Sequence, residues 1–337
     1  MNKQKIFATV VTLCVLSVFS IKAQEERKYD YIASGYYQLV YDADIAHLEE
    51  NDNLAFAKLQ EAEKRCPLIN TLFYDEIELY CHLLIKNRQY EKAFSYMDTL
   101  ATNYGYFPCV VFGDFEKDTI FFKDFLANPD FYDVVHFYSE KDTVLSKDFL
   151  SKNPDFYNVL FPNLLAKSKS FYTHERDSLT TVLKEMCEND QKVRVGWEDK
   201  KTFDAKKMQQ TDSINYDKIL QIIEIYGFPN EKLYGRRGQN ILLSFRLQAM
   251  FVHSFESQKL QEMLIKFVRE GKCSPNLYGL FVDRRMLDEH KKYIFGTYTN
   301  VKDDRIFDIE YLDKRRMSIG MPTREMERKR NELIDGK

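Results

Sequence analysis

Apolar residues recur along this chain at helical rather than strand spacing for most of its length. Within 28–105, Ala55, Leu59 and Ala62 share one helical face, and Pro67 ends that helix. The pattern returns 38 residues on as Ala93, Met97 and Leu100, after a helix carrying Ile77, Tyr80, Cys81 and Leu84. Small residues at these offsets let paired helices approach closely, so antiparallel helices are expected here. A second duplication follows. Glu116–Leu126 (EKDTIFFKDFL) realigns 24 residues later as Glu140–Leu150 (EKDTVLSKDFL), and Asn128–Tyr132 (NPDFY) as Asn153–Tyr157. Each unit is expected to hold a short amphipathic helix and then Asn-Pro-Asp, where Asn or Asp caps and Pro takes the first turn of another helix. Phe131 and Phe156 should then occupy equivalent buried positions. The pair reads either as a recognition surface or as a stacked cap, and the cap is preferred because helical arrays need one for solubility.

From Phe171 the texture changes. Residues 172–195 form a long helix with Leu179, Val182, Leu183, Met186 and Cys187 on one stripe. Asp190 continues that stripe with Arg194 four residues on, and an acid on an apolar face is costly unless paired. A helix over 213–226 stops at Gly227-Phe-Pro229. Residues 239–254 are apolar almost all round, which belongs at a domain centre. Arg246 and His253 flank Ala249 on that helix. Helices over 256–270 and 276–289 follow, the second carrying Asp283 and Arg284. Tyr293–Tyr298 and Ile306–Tyr311 alternate in strand fashion and suggest a small hairpin. The tail, 312–337, mixes charges of both signs as a solvated surface helix does.

The first 23 residues change the picture. A basic start (Lys3, Lys5), an apolar run Ile6–Ile21 and a small exit residue, Ala23, are the parts of a secretory signal peptide. The run is short of the roughly 20 residues that span a bilayer. An exported protein, periplasmic or extracellular, with no membrane span after cleavage, is therefore expected. The 337 residues, 44% hydrophobic and 30% charged, exclude a disordered chain and allow about two domains. The net charge of −3 becomes −6 without the three lysines of the leader, which argues against nucleic acid as partner. Five cysteines remain: Cys66, Cys81, Cys109, Cys187 and Cys273. Their spacing matches no metal motif. They read as buried thiols, with a Cys66–Cys81 bridge as the alternative in an oxidising compartment.

Two resemblances follow from these residues. The Ala55/Leu59/Ala62 and Ala93/Met97/Leu100 spacing resembles the second helix of a tetratricopeptide repeat, whose period is about 34 residues. The Asn-Pro-Asp-Phe units resemble the closing element of such arrays. The run from 175 to 325 resembles a bacterial family of unknown function found behind tetratricopeptide repeats in exported proteins. It shows Asp190-Gln191-x-x-Arg194, Gly227-Phe228-Pro229, His253, Asp283-Arg284, Phe295-Gly296-Thr297-Tyr298, and Arg315-Arg316 before Gly320-Met321. Phe295 and Tyr298 stand where that family has Tyr and Gln, which removes two polar groups from any pocket. The resemblance implies a shared fold and no reaction.

The expected architecture is all-α: signal peptide 1–23, tetratricopeptide-like hairpin array 24–112, duplicated capping unit 113–165, and a helical domain 170–337 with a small β-hairpin. No hydrolase, phosphate-loop, dinucleotide or zinc motif is present, so no metal and no cofactor is expected. His253, Asp283 and Asp190 are the candidate acid–base residues, each with a structural alternative as a satisfied histidine or a buried ion pair. Arg194, Arg246, Arg284, Arg236 and Arg237 are the candidate ligand-binding residues. The last two lie in Gly235–Gly238, a turn able to cradle an anion or merely to start a helix. The preferred function is a scaffold that binds a protein or peptide. The alternative is an enzyme or small-ligand binder using an Asp/Arg/His pocket. Convergence of the candidates on one cavity favours the alternative, and dispersal into separate ion pairs favours the scaffold.

Overall fold

The computed structural model describes residues 29–70, 74–111, 135–139, 152–155, 159–195, 203–237, 240–253, 257–298 and 301–335. The leader, Phe131, Phe156 and the comparison of the two duplicated units lie outside the described residues. The fold is all-α. Helices α1 (Tyr36–Leu48), α2 (Asp52–Arg65), α3 (Glu76–Lys86) and α4 (Tyr90–Tyr104) run antiparallel in succession, and α5 (Phe161–Phe171) packs on α4. Ala55, Leu59, Ala62, Ala93, Met97 and Leu100 are all buried, so the small-residue stripe is the face on which these helices meet. In α3 every residue from Glu76 to Ile85 is buried. That helix is enclosed on all sides.

The second half comprises α6 (His174–Lys192), α7 (Ala205–Tyr226), α8 (Glu231–Tyr234), α9 (Asn240–His253), α10 (Gln258–Arg269), α11 (Pro275–His290), α12 (Leu312–Ser318) and α13 (Arg324–Asp335). Local chemistry sets their starts. Thr173, Asp204 and Ser257 each accept a hydrogen bond from a first-turn N–H of α6, α7 and α10. Buried side chains from Tyr31 to Met321 form one contiguous hydrophobic cluster. Tyr37 donates to the Val268 carbonyl at 2.7 Å and Tyr41 to that of Gly320 at 2.7 Å. Helix α13 lies on α1 through Arg330–Asp44 and Lys329–Glu49, both 2.6 Å.

Several expectations are corrected. The only strands among the described residues are β1 (Phe107–Val111) and β2 (Val135–Ser139), which pair in parallel with Phe107 opposite Val135. No hairpin forms at 293–311, where a single parallel bridge joins Tyr293 to Ile306 between 3-10 turns. The cause is side-chain competition for the backbone. Asp283, fully buried, accepts from the N–H groups of Ile294, Phe295 and Thr297 and from the Thr297 hydroxyl, at 2.7–2.8 Å. Arg315 donates to the carbonyls of Ile294, Phe307 and Asp308. These groups are no longer available to a strand ladder. Val182 on α6 and Leu242 and Phe245 on α9 are exposed, so neither apolar stripe is as wide as the sequence suggests. The charged tail is not wholly solvated. Arg316 is fully buried, donating to the Pro322 and Phe295 carbonyls and pairing with Glu327 at 2.7 Å. No Cys66–Cys81 bridge forms: both are buried free thiols, as are Cys187 and Cys273.

Candidate functional site

Asp190 is 1% exposed, and its position on the apolar stripe of α6 forces it to find cations. Its Oδ1 lies 2.8 Å from Arg194 Nη1, and its Oδ2 lies 3.0 Å from His253 Nδ1 and accepts from Gln191 at 2.8 Å. Arg194 Nη2 reaches the buried Asp212 of α7 at 2.7 Å. The cluster therefore ties α6, α7 and α9 together. His253 is half-buried at its edge. Asp283 is elsewhere, occupied by the 294–297 loop. Arg284 is exposed and pairs with Asp288 one turn on, and Arg246 is exposed on α9. The acid–base candidates thus divide into two separate clusters.

The Gly235 turn is built tightly. Gly235 has φ +71°, and a Cβ there would stand 2.6 Å from the Tyr172 hydroxyl. That hydroxyl accepts from the Arg237 N–H at 2.8 Å. The two guanidiniums leave in opposite directions. Arg237 stacks over Tyr172 at the surface and faces Asp177 at 3.4 Å. Arg236 turns inward, 4% exposed, with Nε 2.7 Å from Glu231 Oε2 and Nη2 paired with Asp75. Its Nη1 stands 3.8 Å from Glu78 Oε2 and has no hydrogen-bond partner. Arg236 joins α3 to α8, while Arg237 stays at the surface, so the two guanidiniums do not face a common point.

Beside this network lies a cleft between the two halves of the fold, about 610 Å³ with the open solvent at its mouth included. Asn70 and Tyr104 line it from the N-terminal half, Phe228, Glu231, Tyr234 and Leu277 from the other, with Leu247 and Phe251 of α9 as apolar walls. Comparison with family models, curated proteins and solved structures finds no match to this chain. The site therefore stands on its geometry.

Three of its polar groups converge at the floor: Glu231, Tyr234 and Ser244. Glu231, 7% exposed, takes a hydrogen bond on Oε1 only from Ser244 Oγ, at 3.4 Å. Ser244 Oγ lies 2.5 Å from the Tyr234 hydroxyl. Burial pushes the Glu231 carboxyl above its ordinary range against the opposing pull of Arg236, and burial pushes the Tyr234 phenol far up, so it stays a donor. At the rim, Lys232 Nζ sits 5.7 Å from the Tyr104 ring centre and Lys272 pairs with Glu270 at 3.2 Å. An apolar cavity with a few placed polar groups has the form in which small ligands are usually held. Sequence reasoning passed over it. Phe228-Pro229 reads locally as a helix stop, and the one signal available was Ser244 on an otherwise apolar helix. Among the described residues no cluster of three metal-ligating side chains exists, and no helix is long and apolar enough to cross a membrane.

Proposed function

We propose that the protein is an exported, non-enzymatic binding protein, related to tetratricopeptide arrays in its N-terminal half and to the exported domain family of unknown function in its C-terminal half. Its cleft receives an apolar segment of a peptide or protein partner. One observation carries this reading: the cleft presents Phe228, Leu247, Phe251 and Leu277 around a small polar floor, while the acid–base candidates close on one another elsewhere. The signal-peptide pattern supports export.

Selection from a displayed random-peptide library tests it, run in parallel on the wild type and on Leu247→Trp, which fills the cleft. Peptide families that enrich on the wild type and vanish on a folded Leu247→Trp variant are expected. No enrichment, or enrichment that ignores the filled cleft, would overturn the reading. The enzymatic alternative rests on the Asp190–His253 contact, which holds Nδ1 as an orienting carboxylate holds a general base. Asp283 lies apart from this pair, held by the 294–297 loop, so the binding reading is preferred.

A further inference from the structure

The chemistry of the cleft floor narrows what can bind, given the peptide reading above. Glu231 Oε2 is committed to Arg236, whereas Oε1 carries one long bond from Ser244 and retains acceptor capacity. Tyr234 donates to Ser244 Oγ and Ser244 in turn to Glu231 Oε1, so the carboxylate is the terminal acceptor of this chain. Charge bears on the floor through Glu231, the one carboxylate among the described residues that line the cleft, which shares the Arg236 guanidinium with Asp75 and Glu78. A compact cation next to an apolar stem complements that carboxylate and the Phe228/Leu247/Phe251 walls.

We infer that the cleft binds a primary ammonium carried on an apolar stem, its N–H groups donating to Glu231 Oε1 and Ser244 Oγ. Two sources in a peptide supply that chemistry, a free N-terminus bearing an apolar first residue or a lysine side chain. Burial already holds Glu231 above its ordinary range despite Arg236, and a bound ammonium offsets that cost by adding a second countercharge at Oε1. Lys232 and Lys272 line the same cleft and oppose polycations.

Three synthetic probes separate the cases on the unmodified protein: Leu-Phe-Ser-Gly amide with a free N-terminus, its N-acetylated form, and acetyl-Ser-Lys-Phe-Gly amide. Affinities come from calorimetry, and methyl NMR shifts at Leu247 and Leu277 place the ligand. Binding of either amine-bearing probe about tenfold or more tighter than the acetylated one supports the inference and names the source. On the protein side, Ser244→Ala should weaken only the amine-bearing probes. Equal binding of all three, with shifts at Leu247, overturns the ammonium while the peptide reading stands. Failure of every probe, beside library peptides that enrich on the cleft, likewise overturns the ammonium alone. Failure of the library selection too would remove both.

Discussion

Asp190 and His253 sit 3.0 Å apart, yet their surroundings assign them different duties. Asp190 is enclosed, with Arg194, His253 and Gln191 all converging on its two oxygens. Removing it takes one of two carboxylates from Arg194, which is 17% exposed, and leaves Asp212 and the residue-190 carbonyl to hold it. Asp190→Ala should therefore cost roughly 3 kcal/mol of stability, the scale for breaking a buried ion pair. His253 is 27% exposed and contributes one of several contacts. His253→Ala should cost about 1 kcal/mol, the scale of a single hydrogen bond. Urea denaturation of the two variants measures both, and equal losses would show that His253 shares the structural load of the cluster. Arg236 is the counterpart on the other side of the core, where one guanidinium serves three carboxylates from two helices.

Helix α3 shows what enclosure does to a whole element. Its His82 is 6% exposed, and burial, helped by the nearby charges of Lys86 and His47, lowers its pKa from 6.5 to about 4. The folded state keeps this ring neutral while the unfolded chain protonates it below 6.5. The stability it secures is thus complete above pH 6.5 and is lost as pH falls toward 4, by at most about 3 kcal/mol. Denaturation midpoints across that window should fall with acidification, and His82→Leu should flatten the slope. An unchanged slope would place the proton uptake elsewhere. The helices themselves were legible in the sequence: Ala55, Leu59, Ala62, Ala93 and Met97 declared their face by spacing alone, and Asp190 declared its need for Arg194 by i,i+4 position. The 293–311 hairpin misled because period-2 alternation is a local signal, whereas Asp283 and Arg315 take those backbone groups from other elements. The cleft was hidden for a related reason. Its walls come from segments as far apart as Asn70 and Leu277, and no local pattern announces that they meet.

At the scale of the molecule, contacts between distant segments decide how it unfolds. Tyr37 and Tyr41 of α1 donate to carbonyls at Val268 and Gly320, Gln38 donates to Met321, and α13 closes back over α1 through Arg330 and Lys329. Gly320, with φ +86°, lets the chain pass so close that a Cβ there would stand 2.6 Å from the Tyr37 ring. Such contacts leave neither half with a complete core of its own, since the cluster that contains Leu59 and Leu83 also contains Leu264 and Met321. The array and the following helices should accordingly melt together. Calorimetry should record one transition whose van't Hoff and calorimetric enthalpies agree. Tyr37→Phe removes one donor to the Val268 carbonyl, which still accepts from the Gly271 N–H at 3.1 Å, at a cost of about 1 kcal/mol, the scale of a single hydrogen bond. That loss should lower the single transition as a whole. Two resolved transitions, with Tyr37→Phe moving only one, would show instead that the halves are stable separately and that the cleft between them is free to open.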